Sequence, residues 1–425
     1  MVKRAFPWSL SHGLTLRENS CRAGHVASAQ ENNILRWKFR KGLQLSCLNL
    51  WAAPYRHQDT PPMPTLNLAL LDAGNPAKAV AYAQHGPYSV VTPVDCASLA
   101  ALRAFSDRID SAFTSNNLRP TKNELEKFSH DLYEFLIGAN LDPVYQKILN
   151  PQVSTTGEAK RIQLLSNHPP IASIPWEYLA KPPDPPGPRA LSTLARIVPT
   201  MTIPPHEPLK LKSGRKLRIF VAGADPLDQA VTGWEGVAGA LDNVFTKQWG
   251  DLVHYKIERS VNLAALNEWL KDGYDVLHFH GHGKVGADGV GNLVFNDPKT
   301  GDSDEVPPWR LASVVADRGI SLVILSACYT SKGDFTKPFN VIAEALVRTG
   351  IRAVVANQYA FPVGTAASFL KSVYRKLMET GDIDLAVAEG RVTLANDIKQ
   401  QDAVPLEWGI PTLYRHADTA QLFKV

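Results

Sequence analysis

Cysteine is scarce in this sequence. Its 425 residues hold four, Cys21, Cys47, Cys96 and Cys328, widely spaced and with no Cys-x-x-Cys pair. That spacing excludes a disulfide framework or a cysteine zinc site and suits a reducing compartment. No stretch of about 18 apolar residues occurs, so no transmembrane helix is expected. The opening MVKRAFPWSLSHGLTLRENS starts basic but has no continuous apolar core, and it reads as a poor secretory signal. An excess of one charge is missing too. Lys+Arg 45 against Asp+Glu 41 leave a net +4, too little over this length to argue for nucleic acid or a membrane as partner. The densest basic run, Lys210, Lys212, Arg215, Lys216 and Arg218, reads as solvated surface in a linker. No repeat of about 20–50 residues is visible, which excludes a solenoid. What is left is a cytoplasmic globular chain, 44% hydrophobic and 20% charged, long enough for two or three domains.

Residues 1–33 are polar and aperiodic and read as a flexible tail. From 34 to 85 the pattern is strand-like: ILRWKF, LQLSCLNL and LNLALLDA alternate or run apolar between turns. Helices are predicted over 96–115 and 121–138. The second opens on Thr121 with Glu124 three residues on, the capping-box spacing. KPPDPPGPRA (181–190) is too proline-rich for regular structure, and a second loose stretch at 204–216 divides the chain. Beyond it, LRIFVAGA (217–224) is a continuous apolar run, the mark of a strand buried on both faces. Further strands are predicted at 252–258, 276–280, 321–327 and 353–357. Helices are predicted at 234–248, 262–272, 307–317, 338–349, 364–379 and 383–398. That order gives an α/β class, a mostly parallel sheet flanked by helices.

Chemistry gathers at the ends of two of these strands, where open α/β sheets bind ligands. One carries YDVLHFHGHGKVG (274–286); the other ends in SAC (326–328). His278, His280 and His282 alternate, so a strand would put all three on one face. Three imidazoles are a formal zinc set, yet no Asp, Glu or Cys cluster is tied to them, and neither metal nor cofactor is expected. His278 reads as core and His280 as a wall of the site. If the two strands are neighbours, His282 and Cys328 face each other across one crevice. An adjacent imidazole lowers a thiol's pKa and accepts its proton. Gly281 and Gly283 permit a sharp turn, and the Gly283 amide could join that of Cys328 as an oxyanion hole. A cysteine after a buried strand is by itself usually inert core. A histidine and a cysteine at two strand ends, 46 positions apart, are a stronger signal.

On these residues the chain resembles the CHAT domain, a branch of the caspase-like cysteine peptidases related to separase. IPWEYL (174–179) resembles the family's IPWE element, LHFHGHG (277–283) its histidine motif and VILSACYTS (323–331) its cysteine motif. GIRAVVANQYAFPV (350–363) is similar to a segment that usually reads A-V-V-A-x-x-W-P-V. DLAVAEGRVTL (384–394) and EWGIPTLYRH (407–416) resemble the closing helix and last strand. The resemblance implies a catalytic caspase-like subdomain over 206–425 and an inactive caspase-like α+β subdomain over 34–205. It implies His282 as catalytic histidine, Cys328 as nucleophile, Gly283 as an oxyanion donor, and Trp176 and Glu177 as structural residues between subdomains. Tyr359 or Phe361 stands where the family often has tryptophan and is expected at a wall of the substrate cleft. Gly364 stands where aspartate is common.

The function so implied is a regulated cysteine endopeptidase with a Cys–His dyad. It would cut protein substrates after a basic residue, under an activating protein partner, in a cell-death or defence pathway. A basic residue needs an acidic pocket, for which Asp288, Asp334 and Glu407 are candidates. Two other readings stay open: a catalytically idle caspase-like scaffold, and a metallohydrolase built on the three histidines.

Overall fold

One twelve-stranded sheet runs through both halves of the chain. The structure is a computed structural model. It describes residues 27–28, 64–75, 78–86, 88–114, 119–149, 160–188, 192–199, 207–211, 215–287, 290–328, 341–362, 365–397 and 405–424. The strands expected at ILRWKF and LQLSCLNL, and all of the expected tail but 27–28, lie outside these residues.

In the N-terminal half, β1 (Ala27–Ser28) pairs with the last strand of an antiparallel meander, β2 (Thr65–Asn75), β3 (Lys78–His85) and β4 (Tyr88–Asp95). Helices α1 (Leu99–Thr114), α2 (Lys122–Leu136) and α3 (Gly138–Leu149) follow. The α2 start is the one its spacing predicts: the Thr121 hydroxyl accepts from the Glu124 amide, and Glu124 accepts from the Thr121 amide at 2.8 Å. β5 (Lys160–Ser166) and β6 (Ser192–Ile197) extend the sheet in parallel beside β2. Between them lie α4 (Pro169–Ala172) and a single 3-10 turn, Trp176–Tyr178.

After β7 (Leu209–Lys210), strands and helices alternate: β8 (Leu217–Gly223), α5 (Trp234–Asn243), β9 (Val253–Glu258), α6 (Leu263–Trp269) and β10 (Val276–His280). A small antiparallel sheet then stands aside, β11 (His282–Val285), β12 (Gly291–Asn296) and β13 (Ser303–Val306). The series closes with α7 (Pro308–Val315), β14 (Leu322–Ser326), α8 (Ile342–Arg348), β15 (Ala353–Asn357), α9 (Thr365–Thr380), α10 (Ile383–Asn396), β16 (Pro411–Arg415) and β17 (Phe423–Lys424). The sheet order is β1-β4-β3-β2-β5-β6-β16-β15-β14-β10-β8-β9.

The central strands show no alternation because both faces are covered. Ile219, Val221, Val276, Ile324 and Val355 feed one core with Trp234, Phe369 and Tyr374. Their strand neighbours Phe220, Leu277, Phe279, Val323, Leu325 and Val354 feed the other, with Leu266, Leu311 and Leu346. The halves join where β6 pairs with β16 in parallel. Beside that seam Arg415 makes two bonds to Asp384, at 2.7 and 2.8 Å, and Arg161 reaches Asp382 at 2.7 Å.

Candidate active site

β10 lies between β8 and β14, all three parallel, with His280 opposite Ser326 on one side and Gly223 on the other. Two residues past that rung stand His282 and Cys328. The ladder continues beyond the strands: the Gly281 amide donates to the Ser326 carbonyl at 3.3 Å and the Ala224 amide to the His280 carbonyl at 2.9 Å. At Gly283 the segments that follow β10 and β14 meet. A β-carbon there would stand 1.8 Å from the Cys328 carbonyl oxygen and 3.2 Å from its nitrogen. Only a residue without one allows that approach.

The three histidines are each held differently. His282 Nε2 is 2.6 Å from the Ala230 carbonyl oxygen. A carbonyl can only accept, so Nε2 carries the proton and Nδ1 is the basic nitrogen. His280 is 5% exposed; its Nε2 donates to the Thr232 carbonyl at 3.1 Å and its ring lies 6.0 Å from that of Trp234. Burial pushes its pKa down, and the Thr232 carbonyl pulls the other way. It backs the site from inside the core. His278 is fully buried with Nδ1 3.3 Å from the Tyr374 hydroxyl, and burial lowers its pKa to about 3. Among the described residues no three His, Cys, Asp or Glu side chains are grouped to hold a metal ion.

Cys328 is a free, partly buried thiol. Burial pushes its pKa up; the Phe361 amide, bonded to the sulfur, acts against this, and the Asp110 carboxylate on α1 adds to it. Asn357, at the end of β15, donates from Nδ2 to the Ala327 carbonyl at 3.2 Å and so fixes the peptide leading into the cysteine.

Tyr359 is 1% exposed, its hydroxyl 2.7 Å from Ser106 Oγ and its ring 6.1 Å from Phe113. It is buried against α1. Phe361 is half-buried against Phe369, centroids 6.0 Å apart. Glu407 accepts from Arg119 at 2.6 Å and from the Leu406 amide at 2.9 Å, so its charge is already paired. Asp288 and Asp334 lie outside the described residues. The helix predicted over 96–115 is present as α1, but sequence reasoning did not single out Ser106 and Phe113, whose contacts with Tyr359 lie far off in the chain. That reasoning also missed Ala230 and Thr232, which act through main-chain oxygens and leave no residue signature.

Beneath the site, Trp176 donates from Nε1 to the Ile171 carbonyl at 3.0 Å. Glu177 receives two bonds from Arg196, at 3.1 and 2.7 Å, and one from Gln358 at 3.0 Å. Burial works against the Glu177 charge, but Arg196, with Arg391 behind it, outweighs burial and holds the carboxyl below its usual range.

A CHAT domain family model matches residues 127–416. The chain belongs to the CHAT domain family. No curated protein matches this CHAT protein in sequence. Among solved structures it is similar to the Arg-specific cysteine proteinase gingipain R, at 12% identity and TM-score 0.41 over 77% of this chain and 76% of that one. It is also similar to the separase–securin complex of Saccharomyces cerevisiae, at 8% identity and TM-score 0.45, covering 83% of this chain and 30% of that one. A third is caspase-1 from Spodoptera frugiperda, at 14% identity and TM-score 0.33, over 54% of this chain and all of that one.

Proposed function

We propose that this CHAT protein is a cysteine endopeptidase in which Cys328 is the nucleophile and His282 the base. The observation that carries the reading is the contact of the Gly283 and Cys328 backbones at the ends of neighbouring parallel strands. His282, held through Nε2 by Ala230, takes the Cys328 proton on Nδ1. The thiolate attacks the scissile carbonyl, and the Gly283 and Cys328 amides receive the oxyanion. His282 returns the proton to the leaving amine, and water then hydrolyses the thioester.

The substrate is a protein cut after a basic residue, the preference that the resemblance to this branch of cysteine peptidases implies. Control by an activating protein fits a nucleophile held as a neutral thiol at rest, and the setting we assign is a cytoplasmic cell-death or defence pathway. Residues 206–425 carry the chemistry and 34–205 support it. No helix among the described residues is long and apolar enough to cross a membrane.

The test is mass-spectrometric mapping of new protein N-termini in cells expressing the wild type, Cys328→Ala or His282→Ala. Cuts after lysine or arginine that vanish in both variants support the reading. Cuts that persist in Cys328→Ala refute it, and if a chelator then abolishes them a histidine-bound metal takes its place. Binding of partners that survives both substitutions without any cuts supports the idle scaffold.

A further inference from the structure

The segment between β8 and α5, residues 224–233, runs as a strap over the face of the small sheet that carries His282. Two of its carbonyls hold histidines: Ala230 holds His282, and Thr232 holds His280. Its apolar side chains do not fasten it. Leu227 and Val231 are each 78% exposed, so burial contributes little there and the grip is polar. At the root, the buried Asn296 side chain accepts from the Asp225 amide at 3.0 Å. It donates to the Asp225 carbonyl at 3.2 Å and to the Gly301 carbonyl at 3.3 Å. Further on, the Leu227 amide donates to the Gly301 carbonyl at 3.1 Å. Beside it, Ser303 Oγ donates to Asp228 Oδ1 at 2.7 Å and accepts from Gln229 Nε2 at 2.9 Å.

These footholds close a ring. Asn296 and Ser303 stand opposite each other on β12 and β13, and two places along the same ladder His282, Val294 and Glu305 form the next rung of that face. The strap gripped by Ser303 carries, directly after Gln229, the carbonyl that grips His282. A hydroxyl both donates and accepts, so this one side chain fixes two successive strap residues. Without it the root stays on Asn296, while Asp228 and Gln229 are free to swing and take Ala230 with them. A carbonyl that drifts out of line with the Nε2 proton loses the bond, and the imidazole is then free to turn.

We propose that Ser303 is a positioning residue of the site: through Asp228 and Gln229 it seats the strap so that the Ala230 carbonyl keeps the proton of His282 on Nε2 and its basic nitrogen, Nδ1, in place. This rests on the Cys328–His282 peptidase reading and names what holds the base of that reading still. The hydroxyl is the working group, so threonine serves in its place and alanine does not. Ser303 is half-buried at the start of β13, so neither substitution empties a core position.

The experiment reads the His282 Nε2 proton directly, by 15N-edited NMR of histidine-labelled protein at low temperature. It needs no turnover and so fails independently of the peptidase reading, which the Cys328→Ala cleavage map tests. In the wild type the proton should give a resolved signal that His282→Ala removes. Ser303→Ala should lose that signal to exchange with water, and Ser303→Thr should keep it. The His280 Nε2 signal, anchored at Thr232 just before α5, should persist in every Ser303 variant, which a general loosening of the fold would not allow. On a peptide substrate, Ser303→Ala should lower kcat about tenfold and leave KM within about twofold, as misplacing a base does. Asp228→Ala should act in the same direction, and the double variant should lose no more than Ser303→Ala alone, because both remove one contact. A His282 signal unchanged in Ser303→Ala, loss of the His280 signal with it, losses in kcat that multiply in the double variant, or failure of Ser303→Thr to restore the signal would each overturn the proposal.

Discussion

Gln358 and Glu177 are 181 positions apart in sequence, and their side chains meet at 3.0 Å. Gln358 also holds the Gly409 carbonyl at 2.5 Å. Through this one glutamine the IPWE turn, the approach to β16 and the stretch carrying Tyr359 and Phe361 are fastened together beneath the cysteine. Glu177→Ala leaves Arg196 and Arg391 buried without their shared carboxylate. Breaking a buried pair in that way costs about 3–5 kcal/mol, to be read as a lowered urea midpoint.

Gly283→Ala places a methyl group where the Cys328 carbonyl already stands. The two backbones must separate, at a cost of about 1–3 kcal/mol. The loss of cleavage should be larger than the loss of stability, roughly 100-fold or more in kcat, because the displaced amides are the oxyanion donors of the proposed reaction. Gly236→Ala, inside α5 with open space around its Cα, is the control. It should stabilise the fold by about 0.5–1 kcal/mol and leave cleavage unchanged.

His278 makes stability depend on pH. Its pKa is about 3 in the folded chain against 6.5 as the ordinary value, so between those values the unfolded chain binds a proton that the folded chain refuses. The contribution is complete above pH 6.5 and is lost as pH falls toward about 3, at about 1.4 kcal/mol per pH unit. Urea unfolding at about pH 5 should show a loss of about 2 kcal/mol from this residue relative to neutral pH. His280, also buried and lowered, adds a slope of the same sign. His278→Leu should flatten the profile by the share belonging to His278; an unchanged slope would contradict the assignment.

Asn357→Leu removes the donor to the Ala327 carbonyl. A buried carbonyl left without that bond costs about 1–3 kcal/mol. Because this carbonyl belongs to the peptide before Cys328, kcat should fall while KM changes little, measured on one peptide substrate against the wild type.

The central strands were legible because of their burial. Runs such as LVILS and AVVAN are apolar without alternation when both faces are covered, and glycines follow β10 where the chain turns. The neighbour relation of β10 and β14 was open in the sequence; the register that sets His280 against Ser326 settles it. β11 was not legible, since HGKV is short, half-exposed and rich in turn residues. β4 was missed as well: SVVTPV carries Pro93 and exposes Val91, which weakens the alternation that marks a strand. Tyr359 was expected at the cleft wall because of its place in the motif. Its actual burial depends on Ser106, some 253 positions away, and no local pattern encodes that contact.

The pairing of β6 with β16 determines what happens if the chain is severed between β6 and β8. Tyr414 and Arg415 lie beside Arg196 and Ile197, so neither piece owns a finished sheet. The larger piece alone would present β16 as a bare edge, ready to recruit any extended chain. With both pieces present, the best match for that edge is the strand that once covered it. The two fragments should therefore reassemble when co-expressed, as the halves of a split reporter do, and a protease nick there should mark the molecule without separating it.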